Sequence, residues 1–295
     1  MPLVFGDIIT AIVTPFDADL RVDEASFANL MHHLVGHGTD GLAVAGTTGE
    51  ASTLTDPEKI ALFKLAVQEV GDRAKIIANT GSNDTAHSVH LTHEAAALGC
   101  DAVLAVTPYY NKPPREGIVG HFASIAAVGL PVIVYNIPGR SVLNLEPNLL
   151  AELSDIPNVV AVKQAHEDLG ELHEVATRTP LAVYAGNDDL LLPVVELGGA
   201  GVISVASHLV GEQMAEMVAA GRRGDMDEAR RIDASLADLV AALFVTSNPI
   251  LIKAALQMTG LIPSDRLRLP LVSATPVQRD ILRTVMEAHG VLARA

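Results

Sequence analysis

The 295-residue sequence contains one cysteine and no tryptophan, and it has no long apolar run. A single cysteine, Cys100, excludes an intrachain disulfide and is typical of a reducing cytosol. Cys100 follows Gly99 and opens an apolar stretch, so we expect a small core residue and not a reactive thiol. No stretch reaches the roughly 18 apolar residues of a membrane span, and the N-terminal residues lack a signal-peptide pattern. We therefore predict a cytoplasmic protein with no membrane partner.

Basic residues are also scarce. There are 20 lysines and arginines against 35 aspartates and glutamates, which gives a formal net charge of −15. A protein that binds nucleic acid needs a basic stripe to meet the phosphates, so we predict no nucleic-acid partner. An anionic substrate would have to be bound by local donors, because the overall field of the protein repels it.

Short apolar runs recur along the first two thirds of the chain, separated by helix-like segments. They lie at residues 8–13, 41–45, 76–79, 102–106, 132–136, 159–163, 181–185 and 201–205. Alternation of strand and helix predicts parallel strands joined by right-handed crossovers, and eight strands close a (β/α)8 TIM barrel. An open, doubly wound sheet is the alternative, but no G-x-G-x-x-G fingerprint follows the first strand.

The sequence changes character beyond Gly211. Residues 214–221, 226–244, 249–259 and 276–289 show helical spacing with no strand between them. We predict a catalytic barrel over residues 1–225 and a C-terminal helical extension over residues 226–295. The extension is expected to pack on the barrel, and not to fold as an independent domain.

The sixth apolar run ends in a lysine, Lys163. The unbroken run of residues 159–162 is typical of a strand buried on both faces, where an ammonium is costly to bury. The lysine therefore needs either an exit to water or a reason to be neutral. A neutral amine is what a Schiff-base nucleophile requires, and the run alone leaves both interpretations open.

Other polar residues stand at strand ends, where a TIM barrel carries its active site. Tyr109, Tyr110 and Tyr135 all fall there. The turn Gly46-Thr47-Thr48-Gly49 could present N–H groups to a carboxylate, or it could be an ordinary connection; Glu50 beside it disfavours a phosphate. Because tyrosine hydroxyls and a carboxylate-binding turn are expected beside it, we favour the neutral-amine interpretation of Lys163.

Histidines offer the strongest alternative chemistry. His87, His90 and His93 recur at every third residue of one predicted helix. That helix faces outward in the barrel, and histidines at such positions are more often solvated than bound to metal. We predict no metal site, which favours amine catalysis over metal-assisted enolisation.

The strand-end motifs resemble a known family. They are TAIVTPF at residues 10–16, GTTGE at 46–50, VTPYYN at 106–111, YNIPGR at 135–140 and VK at 162–163, with GVIS, SNPI and LRLP following at 201–204, 247–250 and 267–270. On these residues the chain resembles the dihydrodipicolinate synthase family of the pyruvate-dependent class I aldolases. That superfamily also holds N-acetylneuraminate lyase. The resemblance covers nearly the whole chain.

The resemblance implies a mechanism. Lys163 would form a Schiff base with pyruvate, and the resulting enamine would attack L-aspartate 4-semialdehyde, as in lysine biosynthesis. Tyr135, Thr47 and Tyr110 would form a proton relay, with Tyr110 reaching into the site of a neighbouring subunit. The family further implies a homotetramer and no cofactor.

The resemblance also implies substrate-binding residues. Thr47 and Thr48 would hold the carboxylate of pyruvate. Arg140 would meet the carboxylate of the semialdehyde, because a guanidinium pairs with a carboxylate through two parallel hydrogen bonds. Gly186 and Ile203 would line the imine pocket with backbone atoms.

The sequence departs from the family at the inhibitor site of lysine-inhibited members. His87 stands where those members have a glutamate, and Lys59 stands where they have a histidine. Since cations should repel the ammonium of the inhibitor, we predict weak or absent inhibition by lysine. Two rival functions stay open: an aldolase that cleaves a sialic acid or a 2-keto-3-deoxy sugar acid, and a non-catalytic binding protein on the same scaffold.

Overall fold

A computed structural model describes residues 5–293 of the chain. Eight parallel strands form a closed barrel in which each strand pairs with its neighbours in chain order and the last pairs with the first. They are β1 (Ile8–Ala11), β2 (Gly41–Val44), β3 (Lys75–Asn79), β4 (Ala102–Val106), β5 (Val132–Asn136), β6 (Val159–Gln164), β7 (Ala182–Ala185) and β8 (Gly201–Ser204). The predicted (β/α)8 TIM barrel is confirmed, and each predicted strand agrees with the observed one to within two residues at each end.

Helices connect the strands and continue beyond the last one. They are α1 (Glu24–Gly36), α2 (Asp56–Val70), α3 (Thr85–Leu98), α4 (Arg115–Ala126), α5 (Pro138–Ser141), α6 (Pro147–Ser154), α7 (Leu169–Arg178), α8 (Leu191–Glu196), α9 (Ser207–Arg222), α10 (Met226–Leu243), α11 (Ile250–Met258) and α12 (Pro276–Ala288). Local signals set their ends: Thr55 and Glu58 cap α2 reciprocally, and Gly99 closes α3 in the left-handed conformation.

Side chains alternate between two apolar cores. On β5, Ile133 and Tyr135 point into the barrel lumen, whereas Val132 and Val134 pack outward against the helices. The lumen is closed near the amino ends of the strands by Tyr184, whose hydroxyl accepts from the N–H of Phe5 at 2.8 Å. The lumen is therefore a packed core, and only the carboxyl ends of the strands are left for a site.

The helical tail differs from the prediction at its start. Helix α9 begins at Ser207, seven residues before the predicted segment, because the turn at the end of β8 leads directly into it. Helix α10 packs on α8 and α9, so the tail is continuous with the barrel shell. The division at residues 225 and 226 stays a prediction. No helix within residues 5–293 is both long and apolar enough to cross a bilayer.

Candidate active site

Lys163 lies in the barrel lumen. Ala161 on β6 and Ala165, the residue after the strand, belong to the lumen core, and the two-residue period of the strand points Lys163 the same way. Only 6% of the residue is exposed. The Nζ atom lies 4.3 Å from the centroid of the Tyr135 ring, and Tyr135 is its register partner on β5. The lysine therefore does not reach bulk solvent.

Burial shifts the ionisation of this amine. Desolvation lowers the pKa of Lys163 from 10.5 to about 8. The positive charge of Arg140 acts in the same direction, while the negative charge of Asp188 opposes it. At pH 7 about one amine in ten is then neutral, so a nucleophilic form is present without any further base.

Tyr135 is shifted in the opposite sense. Burial raises the pKa of its phenol to about 12, although Arg140 and a hydrogen bond with Thr47 both act to lower it. The phenol therefore stays protonated at neutral pH. A protonated hydroxyl beside an amine can donate a proton in one step and take it back in the next, which is what general acid–base catalysis requires.

A cavity of about 680 Å³ opens at the carboxyl ends of the strands. One part of it is lined by Thr47, Tyr135 and Arg140. Arg140 is held there by the one-turn helix α5, which directly follows β5 and was not predicted from the sequence. The structure thus brings Arg140, Thr47 and Tyr135 into the lining of one cavity. Lys163 lies next to that lining, because its amine packs against the Tyr135 ring.

The turn after β2 carries the two threonines; we call residues 46–50 the threonine turn. Thr48 is buried, and its hydroxyl accepts from Nδ2 of Asn248 at 2.9 Å. Within residues 5–293, the backbone N–H groups of Thr47 and Thr48 have no acceptor. Free adjacent N–H groups can bind a carboxylate, which is the chemistry that the sequence suggested for this turn.

The sequence argument based on Glu50 was wrong. Glu50 carries no free charge at this turn, because its carboxylate is paired with the buried ammonium of Lys253 at 2.6 Å. Its other oxygen accepts from the N–H of Arg268. Charge at Glu50 therefore gives no reason to exclude a phosphate. The sequence analysis assigned no role to Lys253, nor to Asn248 and Arg268, although these two lie in the SNPI and LRLP motifs.

Gly186 and Ile203 lie at the same end of the barrel. A Cβ at Gly186 would come within 2.6 Å of Cβ of Ala165, so only glycine fits this contact. The N–H of Gly186 is already used, since it donates to the carbonyl of Gln164 at 2.7 Å. Ile203 belongs to the lumen core together with Tyr135. Their role in lining an imine pocket stays a prediction.

Within a single chain, Tyr110 does not line the cavity that Thr47, Tyr135 and Arg140 share. It is 86% exposed, and its backbone has a φ of 73°, a left-handed conformation that is uncommon for a tyrosine. Its neighbour Tyr109 lines the cavity instead. The place of Tyr110 in a proton relay therefore stays a prediction.

Asp188 is a residue near the site that the sequence analysis missed. It is buried just beyond β7, where it accepts from the hydroxyl of Ser204 and from the N–H groups of Val205 and Ala206, both at 3.2 Å. Burial raises the pKa of its carboxyl. The available signal was its position in Gly186-Asn187-Asp188, directly after a strand.

A second part of the cavity is lined by Asp56, Lys59 and His87. His87 is only partly solvated, because its Nε2 lies 2.9 Å from each carboxylate oxygen of Asp56. Burial acts to raise the pKa of Asp56, but the hydrogen bond and charge of His87 outweigh it and leave that pKa lowered. Among residues 5–293, no three histidine, cysteine or acidic side chains are grouped as a metal site requires.

Comparisons with known proteins agree with this arrangement. The chain is 48% identical over 290 residues to the 4-hydroxy-tetrahydrodipicolinate synthase of Heliobacterium modesticaldum, which covers 97% of this chain and 96% of the relative. It is 47% identical over 291 residues to the enzyme of the same name from Moorella thermoacetica, covering 98% and 99%.

Solved structures give the same result. A dihydrodipicolinate synthase from Cyanidioschyzon merolae with lysine bound has a TM-score of 0.95 and 42% identity, covering 98% of this chain and 99% of that one. The chloride-inhibited enzyme from Acinetobacter baumannii, complexed with pyruvate, has a TM-score of 0.94 and 38% identity, covering 98% and 100%. The model described as the dihydrodipicolinate synthetase family matches residues 4–289. The chain belongs to the dihydrodipicolinate synthetase family.

Proposed function

We propose that the chain has 4-hydroxy-tetrahydrodipicolinate synthase activity, which condenses pyruvate with L-aspartate 4-semialdehyde. The observation that carries the proposal is the amine of Lys163, buried in the lumen against Tyr135 with a pKa of about 8. The activity is the one for which the relatives from Heliobacterium modesticaldum and Moorella thermoacetica are named. A non-catalytic binding protein would have no use for an amine whose burial is this costly.

Each chemical step has a group in the cavity. The neutral amine of Lys163 attacks the keto carbon of pyruvate, and loss of water gives the imine. The imine withdraws electrons and makes the methyl group acidic, so that loss of a methyl proton gives the enamine. Tyr135 transfers protons in these steps. The enamine carbon then attacks the aldehyde carbon of the semialdehyde, and the aldehyde oxygen takes up a proton.

Ring closure releases the enzyme. The amino group of the semialdehyde moiety attacks the imine carbon, and the bond from that carbon to Lys163 breaks. The amine of Lys163 is thereby restored, and one water molecule has been released overall. Every covalent bond that forms or breaks in these reaction steps joins atoms of the substrates, of Lys163 or of water. The steps therefore need no cofactor.

Two carboxylates require two separate donors. The free N–H groups of Thr47 and Thr48 fit the carboxylate of pyruvate, which stays close to Lys163. Arg140 fits the carboxylate of the semialdehyde, since its planar guanidinium can make two parallel hydrogen bonds. These local donors allow a chain of net charge −15 to bind two anions.

Borohydride reduction in the presence of pyruvate tests the first covalent step. Intact-mass measurement should show the wild-type chain gaining one reduced pyruvate, and Lys163→Ala should gain none. Lys64→Ala is the matched control, because Lys64 is an exposed lysine away from the cavity. Absence of the adduct in the wild type, or its presence in Lys163→Ala, would contradict the proposal.

A coupled assay identifies the second substrate. The wild type should turn over pyruvate with L-aspartate 4-semialdehyde, and it should not cleave N-acetylneuraminate or 2-keto-3-deoxy sugar acids. The cavity is lined by Arg140, whose guanidinium suits the carboxylate of the semialdehyde. Cleavage of a sugar acid at a higher kcat/KM than the condensation would contradict the assignment.

We further propose a homotetramer in which Tyr110 enters the site of a neighbouring subunit. The exposure and left-handed backbone of Tyr110 support this, since strained residues cluster where function requires them. Light scattering should give the mass of four chains. Mixing inactive Tyr110→Phe with inactive Lys163→Ala should restore activity, because some mixed pairs then contain one complete site. No recovery after subunit exchange would contradict the crossing.

A further inference from the structure

A charged pair is buried beneath the threonine turn, and the proposed chemistry does not use it. Nζ of Lys253 and Oε1 of Glu50 are 2.6 Å apart, and their side chains are 0% and 1% exposed. Glu50 closes the turn after β2, while Lys253 lies on α11 in the C-terminal helices. The contact therefore joins parts of the chain that are 203 residues apart.

The carboxylate of Glu50 is held on both sides. One oxygen meets Lys253, and the other accepts from the N–H of Arg268 at 3.0 Å. The guanidinium of Arg268 is itself fixed by Glu58 and by the carbonyls of Leu20 and Thr53. Both carboxylate oxygens of Glu50 therefore have a hydrogen-bond partner, one from Lys253 and one from the backbone of Arg268.

Both cations pack against one aromatic ring. Nζ of Lys253 lies 4.2 Å from the ring centroid of Phe16, and the guanidinium carbon of Arg268 lies 4.6 Å from the same centroid. The electron-rich face of a ring stabilises a nearby cation. Phe16 follows β1 at the carboxyl end of the barrel, so the pair is bound to the same end that carries the cavity.

The backbone of the turn needs such support. Ala45 and Glu50, which flank the threonines, have φ values of 53° and 59°. Residues other than glycine rarely adopt this left-handed conformation. A Cβ at Gly49 would meet the carbonyl oxygen of Ile12 at 3.1 Å, so the turn is also tightly enclosed. Strained conformations of this kind persist only when surrounding contacts hold them.

Stability alone does not account for the pair. Replacing a buried ion pair by apolar groups of similar size is often neutral or stabilising, because the charges must be taken out of water. A second contact from the same region, Asn248 to the hydroxyl of Thr48, reaches the turn directly. Two contacts from residues 248–253 therefore act on the element that carries the free N–H groups of Thr47 and Thr48.

We propose that Lys253 is a positioning residue for the carboxylate of pyruvate: it holds Glu50, and Glu50 holds the threonine turn in the conformation that binds the substrate. The proposal rests on the proposed function. Lys253 touches neither the substrate nor Lys163, so its effect is on how the threonine N–H groups are aimed. Arg268 acts on the same carboxylate from the other side.

Charge removal in two steps tests this role. Lys253→Met leaves Glu50 buried without its ammonium, and Glu50→Gln with Lys253→Met removes both charges at nearly constant volume. We expect both variants to raise the KM for pyruvate by about tenfold to a hundredfold, since small misplacements of binding groups have effects of this size. The double variant should regain the thermal unfolding midpoint of the wild type, because it buries no lone charge.

The matched control is Arg230→Met. This change breaks the pair of Arg230 on α10 with Glu196 on α8 at 2.9 Å, which involves neither Lys253 nor Glu50, and should leave the KM for pyruvate unchanged. The positioning role is overturned if the double variant regains the wild-type KM together with the midpoint, or if its KM stays within about twofold of wild type. If Lys253→Met does not fold, the double variant carries the test alone. Failure of the proposed function itself appears separately, as absence of the pyruvate adduct in the wild type.

Discussion

The rate of imine formation at Lys163 should depend on pH, because burial of the amine lowers its pKa. With a pKa of about 8, about one amine in ten is neutral at pH 7, compared with about one in three thousand at the ordinary value of 10.5. Burial therefore raises the reactive fraction by about 300-fold. The rate should rise with pH, reach half of its maximum near pH 8 and level off about one pH unit higher, where deprotonation of Lys163 is nearly complete.

Two charge variants test the cause of the shift. Asp188 raises the pKa of Lys163 and Arg140 lowers it, so Asp188→Asn should move the midpoint to lower pH and Arg140→Met should move it to higher pH. The assay is the rate of borohydride-trapped pyruvate adduct, measured by mass at fixed times between pH 6 and 11. A wild-type midpoint near 10.5, or shifts of the two variants in the same direction, would refute the reasoning.

Four further outcomes follow from the site. Lys163→Met should raise the free energy of unfolding at pH 7 by up to about 3 kcal/mol in chemical denaturation, because a folded-state pKa below the unfolded value penalises the ammonium fully below pH 8 and less as the pH rises to 10.5. Arg140→Lys should raise the KM for the semialdehyde about tenfold or more, while pyruvate trapping by borohydride persists. Lysine should inhibit weakly or not at all in steady-state assays, since Lys59 and His87 both already contact the carboxylate of Asp56; half-inhibition at millimolar lysine would contradict this. Cys100 should resist iodoacetamide at pH 8 in the folded protein, because burial raises the pKa of its thiol to about 12; alkylation before unfolding would count against that.

Local patterns were enough to predict the barrel and the lysine. Each strand is a short apolar run bounded by turn residues, and several helices begin at an aspartate or threonine cap, so the alternation is readable without knowledge of any distant contact. Lys163 stood out because a charge ended a run that had to be buried. The chemistry of the site is concentrated at strand ends, and strand ends are what the sequence pattern marks best.

Long-range pairing was not readable in the same way. Glu50 was interpreted as a free acid, because nothing near it in the sequence shows that Lys253 neutralises it. Lys253 itself lies among apolar residues of α11, where its charge has no local explanation. Asp188 was missed for a related reason. Its carboxylate is held by the N–H groups of Val205 and Ala206, which follow β8 and are distant in the sequence. Such contacts depend on closure of the barrel, which no local pattern encodes.

The order of residues along the chain gives the ion pair of Glu50 a consequence for synthesis. Strand β8 ends at Ser204, so every strand has left the ribosome before Lys253 and Arg268 emerge. Until they do, burial of Glu50 would leave a lone carboxylate out of water, which is costly enough to keep the threonine turn hydrated. On the proposed mechanism, a nascent chain therefore contains Lys163 before Lys253 can hold the turn that would bind the carboxylate of pyruvate. Productive binding of that substrate would then wait until the final helices have docked.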